Sequence, residues 1–519
     1  MKLIIKLLCC LLLAIYATNA FAQKNEKDLE IYALLFYNNL GLVDTLRYSN
    51  FQQLARQLPN SGKYGLYAQS WLSWKKEGAR AGLAQVEKLI EKYPAFAPAY
   101  CLRAEIKLNI EKNDPFILAD IDKALSLSPG LAYAHLLKAQ YYELQQRYGD
   151  ALKEINLCWS KDSALWQNIA RTEFYILKQY GKHEDAFQLA KRVLKKSPNF
   201  APAFAWISEL ALENQKQDTA LFFIEQALRI APQNYDFLKQ KLKTQLALRL
   251  YAAAEKTGDT LINLHPELAS GYYWRGKARY ARQIYPLALQ DFTQALNFLP
   301  DDTAALLARA QTKYNLKDPQ GAIEDFSKIL VLDPQHYDAR RFRATLRMAI
   351  GENENALQDF NFLIQNKPQI ASLYSDRGVI RRRLGDIEGA LKDYAKALEI
   401  NPQDFGVYNN RAFLLAQLNR NAEAIEDYNK ALLIKPGFVF SLNNRGQLKE
   451  KIGDWNGAIQ DFTEVIKQER QNANAYFLRG RCKMQIFDTQ GACQDWKVAA
   501  RYGHPEAAKI FAEKCRNKN

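Results

Sequence analysis

Residues 374–394 read YSDRGVIRRRLGDIEGALKDY, and this stretch decides the fold. Apolar and small residues fall at helical spacing on both sides of Gly385, so the stretch is two helical segments around a turn. Its anomaly is Arg377, which stands where such a hairpin should bury an apolar side chain. Moving outward at a constant interval shows what surrounds it: Ala390 is one of the evenly spaced alanines at 186, 220, 254, 288, 322, 356, 390, 424, 458 and 492. Proline keeps the same beat from Pro198 to Pro436, and an aromatic does so at Phe292, Phe326, Phe360, Tyr394, Tyr428, Phe462 and Trp496. Each class has a physical job. The alanine lets two helices approach closely, the aromatic one helical turn later fills the core from the same face, and the proline stops the helix before the next unit.

The pattern resembles the tetratricopeptide repeat family, whose unit is a helix-turn-helix of this length with small residues, aromatics and a closing proline at these spacings. Units begin near positions 63, 97, 132, 167, 201, 235, 269, 303, 337, 371, 405, 439 and 473. The resemblance implies an all-α, right-handed superhelical solenoid of about 13 units over 63–503, because a single unit cannot bury its own apolar face. Residues 23–62 read as a linker and a degenerate first helical pair, and 504–519 as a capping helix with a basic tail.

Arg377 is one rung of a ladder. Arg275, Arg309, Arg343, Arg377, Arg411, Arg445 and Arg479 share the beat, and so do Asp291, Asp325, Asp359, Asp393, Asp427, Asp461 and Asp495. Each aspartate lies almost midway between two successive arginines, so pairing within a unit and pairing with the following unit both fit the spacing. Arginine suits either, since its planar fork bonds a carboxylate twice while its stem packs on apolar neighbours. A structural role is expected. The ladder lapses at Glu173/Leu189, Ile207/Phe223 and Lys241/Thr257, which marks 167–268 as a less regular stretch.

At the N-terminus, Lys2 and Lys6 precede an apolar run from Leu7 to Ala17 and a small-x-small Ala20-Phe21-Ala22, the three parts of a secretory signal peptide over 1–22. Cleavage near Gln23 is expected, with retention as an anchor the alternative. The protein is then exported, to a periplasm or cell envelope or as a secreted chain. An oxidising compartment gives the cysteines meaning: Cys493 and Cys515 stand at equal distances on either side of His504, so a fold-back of the last helices sets their sulfurs level for a disulfide.

No catalytic constellation emerges. Five histidines are scattered through different repeat positions without metal-ligand spacing, GYYWRGKA at 271–278 lacks the Ser or Thr and the preceding strand of a phosphate loop, and no GxSxG occurs. Neither a cofactor nor a metal is expected, and the chain is read as non-enzymatic.

The family resemblance instead implies a groove lined by the first helix of each unit, which in that family holds peptides or partner proteins. In this chain the groove positions are Tyr273, Lys277, Tyr280, Tyr314, Arg341, Arg382, Arg383, Asn409, Phe413, Asn443, Phe477 and Arg481. Asn409 and Asn443 have the spacing of adjacent units but lack a surrounding lysine clamp, so chaperone binding is not inferred. Aromatics, amides and arginines together can grip an extended peptide. The leading expectation is an exported scaffold for a protein or peptide. The alternative, from a formal net charge of +15, is a basic solenoid that binds an acidic glycan or other envelope polyanion. Nucleic acid is not expected as a partner of an exported chain.

Overall fold

The computed structural model describes residues 62–111, 114–161 and 165–515. The expected signal peptide 1–22, the segment 23–61 and the expected basic tail 516–519 lie outside the described residues. Among the described residues every regular element is an α-helix, and none is long and apolar enough to cross a membrane. The chain divides into two units, 1–257 and 258–519, with the boundary inside a helix.

The first unit holds α1 (Lys63–Glu77), α2 (Ala79–Lys92), α3 (Ala97–Ile110), α4 (Phe116–Leu127), α5 (Ala132–Leu144), α6 (Tyr148–Lys161), α7 (Trp166–Gln179), α8 (His183–Lys196), α9 (Ala201–Glu213), α10 (Gln217–Ile230), α11 (Tyr235–Ala247) and the start of α12 (Tyr251–Leu264). The second holds the rest of α12, then α13 (Ala269–Ala281), α14 (Tyr285–Phe298), α15 (Thr303–Asn315), α16 (Pro319–Leu332), α17 (Tyr337–Ile350), α18 (Asn353–Asn366), α19 (Ala371–Arg383), α20 (Ile387–Ile400), α21 (Phe405–Gln417), α22 (Asn421–Ile434), α23 (Val439–Lys451), α24 (Trp455–Gln468), α25 (Ala473–Gln485), α26 (Thr489–Arg501) and α27 (Pro505–Lys514). Helices pack pairwise in chain order, so each unit is an all-α repeat solenoid.

One pair shows why. Helix α19 ends at Leu384, Gly385 turns the chain at φ 82°, and the Asp386 carboxylate caps α20 by accepting the amide of Gly389. Ala390 and Tyr394 of α20 are fully buried against α19, where a β-carbon on Gly378 would lie 2.7 Å from the Tyr394 ring. That glycine is therefore where the two helices touch most closely. The far side of α20 packs on α21, so each second helix is shared between its own repeat and the next.

The stretch 167–268 keeps the helix lengths of its neighbours, so its irregularity lies in side chains alone. Phe174 of α7 stacks on Trp206 of α9 with centroids 4.9 Å apart, and Glu173 accepts the Trp159 indole N–H at 2.7 Å. Aromatic packing replaces the rung at Ile207/Phe223, whereas Lys241 pairs back with Glu225 at 2.9 Å.

At the other end α27 folds back on α26, and a disulfide joins Cys493 to Cys515 with Cα atoms 5.7 Å apart. Cys101, Cys158 and Cys482 are buried free thiols, and burial pushes the last up to about 12, so it stays protonated.

Candidate binding face

Because the first helices of successive repeats lie side by side, their equivalent residues form rows along one face. The arginine ladder lies between this face and the second helices. Arg377 Nε and Nη2 donate to Asp393 Oδ2 and Oδ1 at 2.9 and 2.6 Å, so the pairing is within the repeat. The third donor reaches back to the preceding repeat, where Nη1 meets Asn361 Oδ1 at 2.8 Å. Equivalent reaches run from Arg275 to Asp259, Arg343 to Ser327, Arg445 to Asn429 and Arg479 to Thr463.

A second cation completes most rungs. Arg279, Lys313, Arg347, Arg381, Lys449 and Lys483, one helical turn after the ladder arginines, sit 2.9 to 3.0 Å from the same aspartates. Asp427, where Leu415 occupies that position, has Arg411 alone. All seven aspartates are 1–3% exposed. Each carboxylate is thus paired inside the scaffold, and Arg381 belongs to a rung with Asp393.

The groove residues separate into groups. Tyr280 and Tyr314 line a cleft of about 450 Å³ with Gln311, Asn315, Phe342 and Thr345, contributed by α13, α15 and α17. Tyr273 is half-buried beside Phe292, and its hydroxyl is pushed above the ordinary phenol range first by burial and then by Asp302. Lys277 lies about one helical turn before Tyr280 on α13, and Arg341 one turn before Thr345 on α17. Arg382 lies over the Phe413 ring, 5.7 Å from its centroid. Asn409 Oδ1 accepts from Ser441 Oγ and Asn444 Nδ2 at 3.0 and 3.3 Å, while the buried Asn443 Oδ1 accepts nothing. Arg481 pairs with Glu450 at 3.0 Å on the edge of a second cleft of about 570 Å³, floored by Trp455 and closed on one side by Ile510 and Lys514 of α27.

Two of the expected groove residues also make contacts within the scaffold. Phe477 is 4% exposed because His504, at the cap of α27, stacks on it at 4.1 Å. Arg383 donates from Nη1 to the Met348 carbonyl at 2.6 Å and so ties α19 to α17.

The structure adds Phe342 and Asp376, which the sequence reading passed over. Asp376 of α19 is half-buried, and that burial pushes its carboxyl up to about 6; Arg341 pulls it down and Asp404 pushes it up further. In register these two positions coincide with Trp274, Ala308, Asn410, Asn444 and Leu478. The signal was the lack of repetition at this position, whose residue changes from repeat to repeat while its neighbours keep the beat.

Family models match within this unit, with the TPR repeat at residues 378–419 and the tetratricopeptide repeat at 405–438 and 307–371. No protein of curated function matches the chain. Solved structures similar to it include MamA (41-end) from Desulfovibrio magneticus RS-1, at 20% identity over 33% of this chain and 96% of that one, TM-score 0.32. YrrB, described as a TPR protein with an unusual peptide-binding site, is 19% identical over 36% of this chain and 94% of its own, TM-score 0.33. The APC/C hetero-tetramer Cut9-Hcn1 matches at 14% identity over 91% of this chain and 99% of its own, TM-score 0.37. Three repeat models are thus seated in the beat that runs through helix after helix, and the chain carries tetratricopeptide repeats.

Proposed function

We propose that this chain is a non-enzymatic scaffold that holds a peptide or protein partner on the first-helix face of its second unit, and that it does so after export. The observation that carries the reading is the cleft built by three consecutive first helices, α13, α15 and α17, with aromatic rings exposed in it. A recess assembled from successive repeats exists only because the repeats stack, so stacking generates a recognition surface as well as a core. Farther along, Arg382 over Phe413 and the amides of Asn409 and Asn444 present donors and flat apolar surface, the chemistry that grips a backbone and its side chains. The signal-peptide pattern of residues 1–22 supports export.

The test places a photo-cross-linking residue at Phe413 and, separately, at Lys392 on the second helix α20, in the native host at low and physiological salt. A defined protein joined at Phe413, absent at Lys392, retained in salt and lost in Arg382→Ala with an intact circular dichroism spectrum is the expected result. Recovery of only salt-sensitive acidic polymer would replace the scaffold with a polyanion binder. The N-terminal sequence of the mature chain, expected to start near Gln23, checks export.

A further inference from the structure

We propose that the cleft between Tyr280, Tyr314 and Phe342 is a specificity pocket that takes one aromatic side chain of an extended segment whose neighbouring residues are acidic. This deepens the reading of the first-helix face as a peptide-binding surface and rests on it.

The pocket is built. Phe342 lies nearly parallel to the buried Phe326, centroids 5.7 Å apart and planes 13° from parallel, so its ring is held in one orientation while 47% of it stays exposed. Tyr314, from the neighbouring first helix, is 58% exposed. The third wall, Tyr280, is fixed by Tyr285 at its edge and by Asn315 Nδ2, which donates to its hydroxyl at 3.0 Å. Thr345 is also occupied, donating to the Arg341 carbonyl at 3.0 Å. Rigid aromatic walls around about 450 Å³ suit insertion of a flat ring, which meets the walls by stacking and edge contacts.

Charge selects what flanks the ring. The lining holds no carboxylate, ammonium, guanidinium or imidazole, so a charged side chain entering the pocket would lose its hydration unpaired. About one helical turn from the lining Tyr280 and Thr345, on the two outer helices α13 and α17, are Lys277 and Arg341, neither in an ion pair with an acid among the described residues. Arg341 acts on Asp376 through its charge and makes no ion pair or side-chain hydrogen bond with it, so its guanidinium keeps donors for a carboxylate from outside. An aromatic residue with a carboxylate on either side therefore matches the pocket in both polarity and charge. A neutral sugar would stack on the rings but would find few uncommitted donors and acceptors.

The test uses the full mature chain and three capped pentapeptides: Asp-Glu-Trp-Glu-Asp, the same with Ala for Trp, and Lys-Lys-Trp-Lys-Lys. At physiological salt the first is expected to bind at least tenfold more tightly than either of the others by calorimetry. Tyr314→Ala, at an exposed position, should remove the advantage of Trp over Ala, and Lys277→Glu with Arg341→Glu should reverse the preference between acidic and basic peptides. Thr345→Trp, which fills the cleft from an exposed helical position, should abolish Trp binding with unchanged helicity. Equal binding of all three peptides, an unchanged Trp preference in Tyr314→Ala, or preferential binding of a neutral oligosaccharide such as maltohexaose would overturn the proposal. Loss of the cross-linked partner in Arg382→Ala but not in Tyr314→Ala would leave the scaffold reading standing and refute this pocket. Loss in neither would refute the scaffold reading itself.

Discussion

Arg377 answers the question its position raises: it stands half-buried among helices because its donors are satisfied. Its three donors meet one carboxylate and one amide, and Arg381 takes the remaining edge of the same Asp393. Asp393→Ala would strand two cations at once and is expected to cost about 3–5 kcal/mol in chemical denaturation. Asp427→Ala strands Arg411 alone and should cost clearly less; equal losses would show that the second cation contributes nothing. Asp376 carries the opposite sign. Its folded carboxyl is pushed up to about 6 from 3.8, so the unfolded chain gives up its proton first as pH rises, and stability falls between about pH 4 and 6 and stays lowered above. Asp376→Asn should therefore stabilise the second unit at pH 7, by about 1–3 kcal/mol, and leave it unchanged at pH 3.5. Urea midpoints at the two pH values decide it.

For the helical elements, close approach and tethering set the outcome. Gly378 costs helix propensity, and the Tyr394 ring beneath it is the reason a larger residue does not fit. Gly378→Ala should lower stability by about 1–3 kcal/mol despite the better propensity of alanine, because a buried ring has nowhere to move. Helix α27 presents the complementary case. It has 10 residues and buries only Ala507 fully, too little to persist alone, and the Cys493–Cys515 bond fixes its far end. Cys515→Ser should weaken this end by about 3 kcal/mol and speed amide exchange across α27 while leaving α23 protected. Uniform protection in both forms would assign the anchoring to His504 and Phe477 instead.

Across the whole molecule, coupling runs between neighbours. Each helix touches mainly those adjacent in sequence, so a lesion should spread one repeat and fade. Hydrogen exchange in Asp393→Ala is expected to rise in α19 to α21 and to stay unchanged in α1 to α3; a global rise would mean that the array unfolds as one cooperative body. The same arrangement lets the first-helix face vary freely, since no residue on it has to satisfy a distant contact.

Much of this was legible in the sequence. Core positions repeat because every repeat meets the same neighbours, so Ala390, Tyr394 and the arginine ladder announced themselves by period, and the symmetry of Cys493 and Cys515 about His504 anticipated their bond. The second cation row was equally periodic and was missed beside the more conspicuous arginines. Other features had no period to show them. Asp393 stands almost midway between Arg377 and Arg411, so spacing could not say which of them it takes; helix packing within the repeat decided that. The pocket joins Tyr280 and Tyr314, which share one register position in successive repeats, to Phe342 from a different position in the third, and only stacked helices bring them together. Sequence determined the repeating contacts because stacking imposes the same chemistry on every repeat, whereas the binding face, which stacking leaves unconstrained, was decided by tertiary structure.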